Sequence, residues 1–512
     1  MTLRLLVLTA VVLGGLALLP PGLVHAHGFG ERYDLPVPLW LYLYGAGATV
    51  LVSFVVIGMF LRGRPDTRAP ARFDLYRLPG VRAVLENVLT LALLRLISVA
   101  ALGLVIATAF WGNPASVLNF SVAFVWVGWW VGLGYVFSLV GNLWAFLNPW
   151  KILFEWAEFL FTRLTGGRRL GLGLRYPDQL GVAPAIVLFT GFAWIENVYV
   201  NAGAPTHLGI MVVFYTVVTL GGMFLFGKRQ WLHHGEAFSV LYRFLSKFAV
   251  IEARTTDPQL CTHCEQSCAQ KSMDRVNCYD CLEQTKGSRR LDLRPPGAGL
   301  SYPETVRTSE VVFIVLALST VTLDGFKETE AWQSVKDVAL TGVTFYRNDL
   351  NTTLALVAFP LIFMGAYLLT CRISNIVSGE GGSTGETARA YIYSLIPIAL
   401  AYNVAHFFSF LAIQGQLIVK EISDPFGWGW DLFGTADWQV QISIVSARLV
   451  WFVGVGAIVI GHVIAVYVAH VISTRKMGTR AAAMQSQYPM VALMVGYTVV
   501  SLWIVAQPIT AG

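Results

Sequence analysis

Long apolar runs separated by short polar segments dominate the chain. A helix that crosses a bilayer needs about 20 mostly apolar residues, and about ten runs meet this criterion. They cover approximately residues 38–62, 87–110, 119–146, 183–200, 208–227, 309–326, 351–370, 391–417, 444–471 and 488–508. The pattern predicts an all-α polytopic integral membrane protein whose surroundings are the lipid bilayer.

Basic residues are concentrated in alternate loops. The loops after the first, third, fifth, seventh and ninth runs carry Lys and Arg, and residues 62–82 alone contain Arg62, Arg64, Arg68, Arg72, Arg77 and Arg82. Cytoplasmic loops of membrane proteins show this excess, so we predict these loops inside and both termini outside. For a bacterial protein this places the chain in the inner, or cytoplasmic, membrane.

The first residues have the pattern of a signal peptide. Arg4 is followed by the apolar stretch 5–19, by Pro20 and Pro21, and by the small-residue site Val24-His25-Ala26. This order predicts that residues 1–26 are removed by cleavage after Ala26. An uncleaved signal anchor is the alternative.

Composition agrees with a membrane location. Hydrophobic residues make up 55% of the chain and charged residues 13%, whereas a soluble domain has roughly 25% charged residues. The formal net charge is +6, but the basic residues lie in the membrane-flanking loops, so we predict no nucleic-acid partner. The predicted organisation is a first half of five helices (27–227), a polar insert (228–308) and a second half of five helices (309–512). Inverted-repeat transporters have such a five-plus-five arrangement.

The polar insert begins with an amphipathic segment, residues 231–251. Its apolar side chains suit a helix on the cytoplasmic membrane surface, and a helix packed beneath the bundle is the alternative. Cys261, Cys264, Cys278 and Cys281 follow as two Cys-x-x-Cys pairs, a spacing that favours one tetrahedral structural zinc. An iron–sulfur cluster and no metal are the alternatives. Such a cysteine segment would stabilise the insert or dock a protein partner.

Few ionisable side chains lie inside the predicted spans. They include Glu196, Asp324, His406 and His462, and ionisable groups within a bilayer usually have a function. We expect these four to converge on one cavity that opens outward. Imidazole and carboxylate together can hold zinc or another divalent metal, which activates water, and they also suit a proton relay. The alternative is that each one only satisfies a neighbour in the bundle.

Four segments resemble a group of bacterial polytopic proteins known as fenitrothion hydrolases: His27–Pro38, Asn142–Trp150, Ser319–Phe326 and Asn403–Gln416. The resemblance implies a phosphotriester hydrolase that attacks an apolar organophosphorus triester with a metal-activated water. In that reading His406 and Asp324 are metal ligands or general base, with Glu196 and His462 as further candidates. No catalytic motif of that group carries over to these positions.

Other functions fit the same residues. A transporter would use the buried groups to bind and pass protons or metal ions, and a membrane subunit of a larger complex would use the cysteine segment for docking. The sequence contains no P-loop and no His-Glu-x-x-His. Hydrolysis and transport therefore both remain open at this point.

Overall fold

A computed structural model describes residues 35, 37–60, 71–255, 275–276, 289–302, 304–338, 347–379 and 382–510. The predicted signal peptide, 1–26, and Cys261, Cys264, Cys278 and Cys281 lie outside the described residues. The main helices are α1 (Leu39–Phe60), α2 (Val88–Trp111), α3 (Phe120–Leu139), α4 (Pro149–Leu164), α5 (Ala183–Asn197), α6 (Pro205–Phe226), α7 (Lys228–His234), α8 (Ala237–Leu245), α9 (Thr308–Lys327), α10 (Glu330–Val338), α11 (Arg347–Ser378), α12 (Thr384–Tyr391), α13 (Ile396–Gln414), α14 (Gln416–Glu421), α15 (Ala447–Lys476) and α16 (Arg480–Thr510).

Nine helical segments among the described residues are long and apolar enough to cross a membrane. They are α1, α2, α3, α6, α9, most of α11, the continuous segment α12–α14, α15 and most of α16. The prediction of a polytopic, mainly helical membrane protein is thus confirmed. The run predicted at 183–200 forms the 15-residue helix α5. At 1.5 Å per residue this helix is about 22 Å long, shorter than the hydrocarbon core of about 30 Å.

A small antiparallel sheet is the exception to the all-α prediction. Strands β1 (Phe73–Asp74), β2 (Ile251–Thr255), β3 (Arg275–Val276) and β4 (Arg289–Leu293) pair in the order β1-β4-β2-β3. The prediction missed the sheet because its strands are short and charged. Buried ion pairs hold it together. Glu252 accepts hydrogen bonds from Arg72 at 2.5 Å, from Arg294 and from Tyr302, and it raises the pKa of Arg72 against the opposing effect of burial.

The amphipathic segment of the insert packs beneath the bundle. Glu236 ends the single helix predicted for 231–251, because its carboxylate accepts from the backbone N–H groups of Phe238 and Ser239 and so begins the new helix α8. Phe238 and Leu241 of α8 are buried in the main core. Of the two alternatives for this segment, the structure has the packed helix and not the surface helix.

Small residues let the helices of the second half approach closely. A Cβ built on Gly461 of α15 would lie 2.4 Å from Ala401 Cβ and 2.7 Å from the carbonyl oxygen of Pro397, both on α13. One helical turn further on, Ala465 is also fully buried. Close packing of small residues is a main source of helix association inside membranes. It places α13 and α15 side by side, and α9 and α16 pack against the same pair.

Candidate functional site

The candidate site is built around a direct contact between Asp324 of α9 and His406 of α13. The distance from Asp324 Oδ2 to His406 Nε2 is 2.8 Å. Their side chains are 20% and 19% exposed, so the pair is largely enclosed but not sealed. These residues are 82 positions apart in sequence, and the packing of α9 against α13 brings them together. Asp324 and His406, which were expected to lie together, are therefore in direct contact.

Lys327 occupies the other oxygen of the same carboxylate. Its Nζ lies 3.0 Å from Asp324 Oδ1, because the two residues are three positions apart near the end of α9 and so face the same side of the helix. The same ammonium donates to the backbone carbonyl of Asn197, at 3.4 Å. Sequence reasoning missed Lys327, which it placed in the loop after the span. Its spacing from Asp324 was the signal that could have revealed it.

Gly325 and Tyr402 fix the orientation of the histidine. The Tyr402 ring stacks on the His406 ring, with centroids 6.2 Å apart and an interplanar angle of 16°. The Tyr402 hydroxyl fills the space beside Gly325, where a Cβ would lie 2.2 Å from it. Tyr135 of α3 supports the same helix by donating to the carbonyl oxygen of Asn403, at 2.9 Å. Asp324 is thus followed by a residue without a side chain, Gly325, which leaves room for the Tyr402 hydroxyl.

Glu196 lies at the edge of this group. Its Oε1 accepts a hydrogen bond from Trp130 Nε1 at 2.6 Å, and its Oε2 accepts from Asn197 Nδ2 at 3.4 Å. The carboxylate is within electrostatic range of Asp324 and Lys327. Trp130 belongs to a π-helical stretch of α3, Ala123–Leu133, a backbone form often found at functional sites. Glu196 thus neighbours the Asp324–His406 pair without bonding to either residue.

His462 of α15 has different neighbours from the other three predicted residues. Its Nδ1 lies 2.8 Å from the carbonyl oxygen of Ile458, its ring is 6.0 Å from that of Tyr497, and its Nε2 is buried with no hydrogen-bond partner. Of the four residues expected to converge, Asp324 and His406 are in direct contact and Glu196 is within electrostatic range of Asp324. His462 instead lies beside Tyr497, near the middle of α15.

The described residues contain no group of three or more His, Cys, Asp or Glu side chains that could hold a metal ion. Asp324 and His406 would supply two ligands, and catalytic zinc usually has three from the protein. Glu196, the nearest further carboxylate, is bonded to Trp130 and Asn197. Within the described residues, the Asp324–His406 pair therefore falls short of the usual three-residue ligand set of a catalytic zinc.

A second buried carboxylate was missed by sequence reasoning. Glu236 is fully buried and accepts hydrogen bonds from the side chains of Tyr215, Trp144, Asn148 and Ser239 as well as from the two backbone groups that begin α8. Two of these donors lie in the Asn142–Trp150 segment. Glu236 belongs to the insert, whereas Trp144, Asn148 and Tyr215 belong to the first half of the bundle, so these hydrogen bonds join the two parts.

No family model matches the chain, and neither a characterised protein nor a solved structure is significantly similar to it. The contacts of Asp324, His406 and their neighbours are therefore the basis for proposing a function.

Proposed function

We propose that the protein is a membrane transporter that carries protons, in which Glu196, Asp324, Lys327 and His406 bind and release one proton. The observation that supports this most strongly is the Asp324 carboxylate held between two nitrogen groups, His406 at 2.8 Å and Lys327 at 3.0 Å. Titratable groups held so close within a membrane helix bundle are typical of proton pathways.

The charges of the group explain why it would take up one proton. With both carboxylates ionised and Lys327 protonated, the group sums to −1 when His406 is neutral, and one proton taken up by His406 or by Glu196 brings the sum to zero. An unbalanced charge in a low-dielectric interior is costly, so the group favours binding one positive charge. On the predicted topology, Asp324 near the end of α9 receives this proton from the outer side.

The test measures proton flux in proteoliposomes that contain a pH-sensitive dye, driven by a valinomycin-induced potassium potential. We expect the purified protein to acidify the lumen, and Asp324→Asn and His406→Gln each to lower the rate at least tenfold. Gln414→Asn is the matched control, because Gln414 lies two turns beyond His406 on the same helix and is exposed. A wild-type rate equal to that of empty liposomes would refute the proposal.

A second candidate function is hydrolysis, as the resemblance to fenitrothion hydrolases implies. The supporting observation is that Asp324 binds His406 through Nε2, which leaves Nδ1 free to act as a general base. A water oxygen would then attack phosphorus, its proton would pass to Nδ1, and the nitrophenolate would leave. An apolar triester could reach the site from the lipid.

Hydrolysis is tested by incubating the reconstituted protein with paraoxon and measuring nitrophenolate release, with and without added divalent metal. Release that is lost in both His406→Gln and Asp324→Asn supports hydrolysis. Proton flux without nitrophenolate release selects transport.

We also propose a structural zinc bound by Cys261, Cys264, Cys278 and Cys281. The register of the sheet supports this proposal. Thr255, the last residue of β2, pairs with Arg275 of β3 on one side and with Arg289 of β4 on the other. The strand ends that flank both cysteine pairs therefore meet at one end of the sheet. Elemental analysis of the purified protein should find one zinc per chain, and none in a Cys278→Ser/Cys281→Ser variant. Iron in place of zinc would select the iron–sulfur alternative.

A further inference from the structure

Two buried polar atoms without a hydrogen-bond partner lie in side chains next to Tyr497, in the second half of the bundle. They are the Tyr402 hydroxyl and Nε2 of His462. Tyr402 and His462 are each 1% exposed. Buried polar groups are nearly always hydrogen-bonded, and within a membrane the cost of leaving one unpaired is higher than in water. Two such atoms beside one tyrosine call for a functional explanation.

These atoms belong to a continuous line of side chains that begins at the candidate site. The Tyr402 ring stacks on His406, its centroid is 6.5 Å from that of Tyr497, and the Tyr497 ring is 6.0 Å from His462. Tyr497 also shares a hydrogen bond of 2.6 Å with the hydroxyl of Thr322, two residues before Asp324 on α9. We call Tyr402, Tyr497, Thr322 and His462 the polar file.

The polar file runs from one end of the bundle to its middle. At the end where the file meets the candidate site, Asp324 is the fourth residue from the C-terminus of α9. At the other end, His462 is the sixteenth of the 30 residues of α15. Each member carries a hydroxyl or an imidazole, groups that can both donate and accept hydrogen bonds. Proton transfer along a chain requires this dual capacity at every step.

The tautomer of His462 follows from its hydrogen bond. Ile458 offers a carbonyl oxygen, which only accepts, so Nδ1 of a neutral His462 carries the proton. Nε2 then has a free lone pair, and it is the atom without a partner. His462 is therefore set up as a proton acceptor within the membrane.

We propose that the polar file carries protons between the Asp324–His406 pair and His462, and that His462 is the second proton-accepting station of the protein. The inference rests on the proposed proton-carrying function and deepens it. A proton bound at His406 reaches Nε2 of His462 by successive transfers between water molecules and the hydroxyl groups of Tyr402 and Tyr497. Water bridges the spaces between the rings, because a buried water needs two to four polar partners and the unpaired atoms provide them.

Titratable and charged groups face this path from three helices. Tyr402 and His406 lie on α13 and Tyr497 on α16, while α9 contributes Asp324 and Lys327 at the outer end.

The first experiment compares proton flux in the same proteoliposomes for Tyr497→Phe and His462→Gln. Both variants preserve most of the side-chain volume, and we expect each to lower the flux at least tenfold. Tyr367→Phe is the matched control, because Tyr367 is a buried tyrosine of α11 that bonds the carbonyl oxygen of Ala388 outside the polar file. Wild-type flux in both variants, together with loss of flux in His406→Gln, would overturn the polar file and leave the proposed function standing.

A second experiment does not depend on transport. Hydrogen exchange at the imidazole C2 position, followed by mass spectrometry, reports whether water reaches a histidine. We expect His462 to exchange measurably in wild-type protein and at least threefold more slowly in Tyr497→Phe, with no such change in Tyr367→Phe. No exchange at His462 in the wild type would overturn the polar file even if the flux assay showed no transport at all.

Discussion

Replacing Gly325 by Ala should force the Tyr402 hydroxyl out of its place beside residue 325. The new Cβ would lie 2.2 Å from that hydroxyl, whereas ordinary contact begins at 3.4 Å, so one group must move by about 1.2 Å. Ile504 Cγ2 would lie at 3.1 Å on the other side, and Tyr402 is almost fully buried, so little space is free. Overpacking of this kind costs about 1–3 kcal/mol.

Helix propensity acts in the opposite direction, since Ala favours a helix over Gly by about 1 kcal/mol. Gly496→Ala on α16 is the matched control, because nothing lies within 4 Å of its Cβ position. We expect Gly325→Ala to unfold several degrees below Gly496→Ala when purified protein is heated in detergent. Adding Tyr402→Phe removes the displaced oxygen and should restore most of the loss, with a coupling energy of about 1 kcal/mol or more in the double-mutant cycle. Equal unfolding temperatures for Gly325→Ala and Gly496→Ala would refute this reasoning.

Three further predictions concern the polar insert, residues 228–308. Glu236→Gln should lower the free energy of unfolding by about 3 kcal/mol or more, since several buried donors lose an acceptor at about 1–3 kcal/mol each; unchanged thermal unfolding would contradict this. Burial and the adjacent Arg243 hold the pKa of His233 well below its ordinary value, so the unfolded chain binds more protons below about pH 6.5 and stability falls as the pH drops through that range. His233→Gln should weaken that pH dependence, as measured by unfolding temperatures at about pH 5.5 and 7.5. Arg294→Met leaves Glu252 with one fewer cation and should cost about 3–5 kcal/mol, whereas Arg290→Met, at an exposed position of β4, should cost little in the same thermal assay.

The membrane helices were predictable because their signal is long and simple. A run of about 20 apolar residues has few alternatives to a spanning helix, and the described residues bear this out at nine segments. The small sheet was not predictable for the opposite reason. Its longest strands have five residues and its stability comes from ion pairs between distant positions, such as Arg72 with Glu252, which no local pattern reveals.

The candidate site was likewise predictable only in part: its residues could be found from the sequence, but their grouping could not. The cost of ionisable groups in a membrane was enough to single out Asp324, His406, Glu196 and His462. Their grouping depends on which helix faces pack together, and a single sequence does not contain that information. The predicted depth of these four residues in the membrane suggested one common cavity. The packing of α15, however, turns His462 toward Tyr497. Lys327 was overlooked because its charge suited a loop equally well.

The pairing of β1 with β4 limits the order in which the protein can assemble. Phe73 pairs with Leu293, about 220 residues later in the chain, and several membrane helices are made between them. Contacts of such long sequence separation form late, because the intervening chain must first be ordered. During synthesis β1 must wait beside the membrane until the insert leaves the ribosome. The sheet therefore cannot close until the whole first half of the protein and most of the insert have been made, and β1 stays unpaired until then.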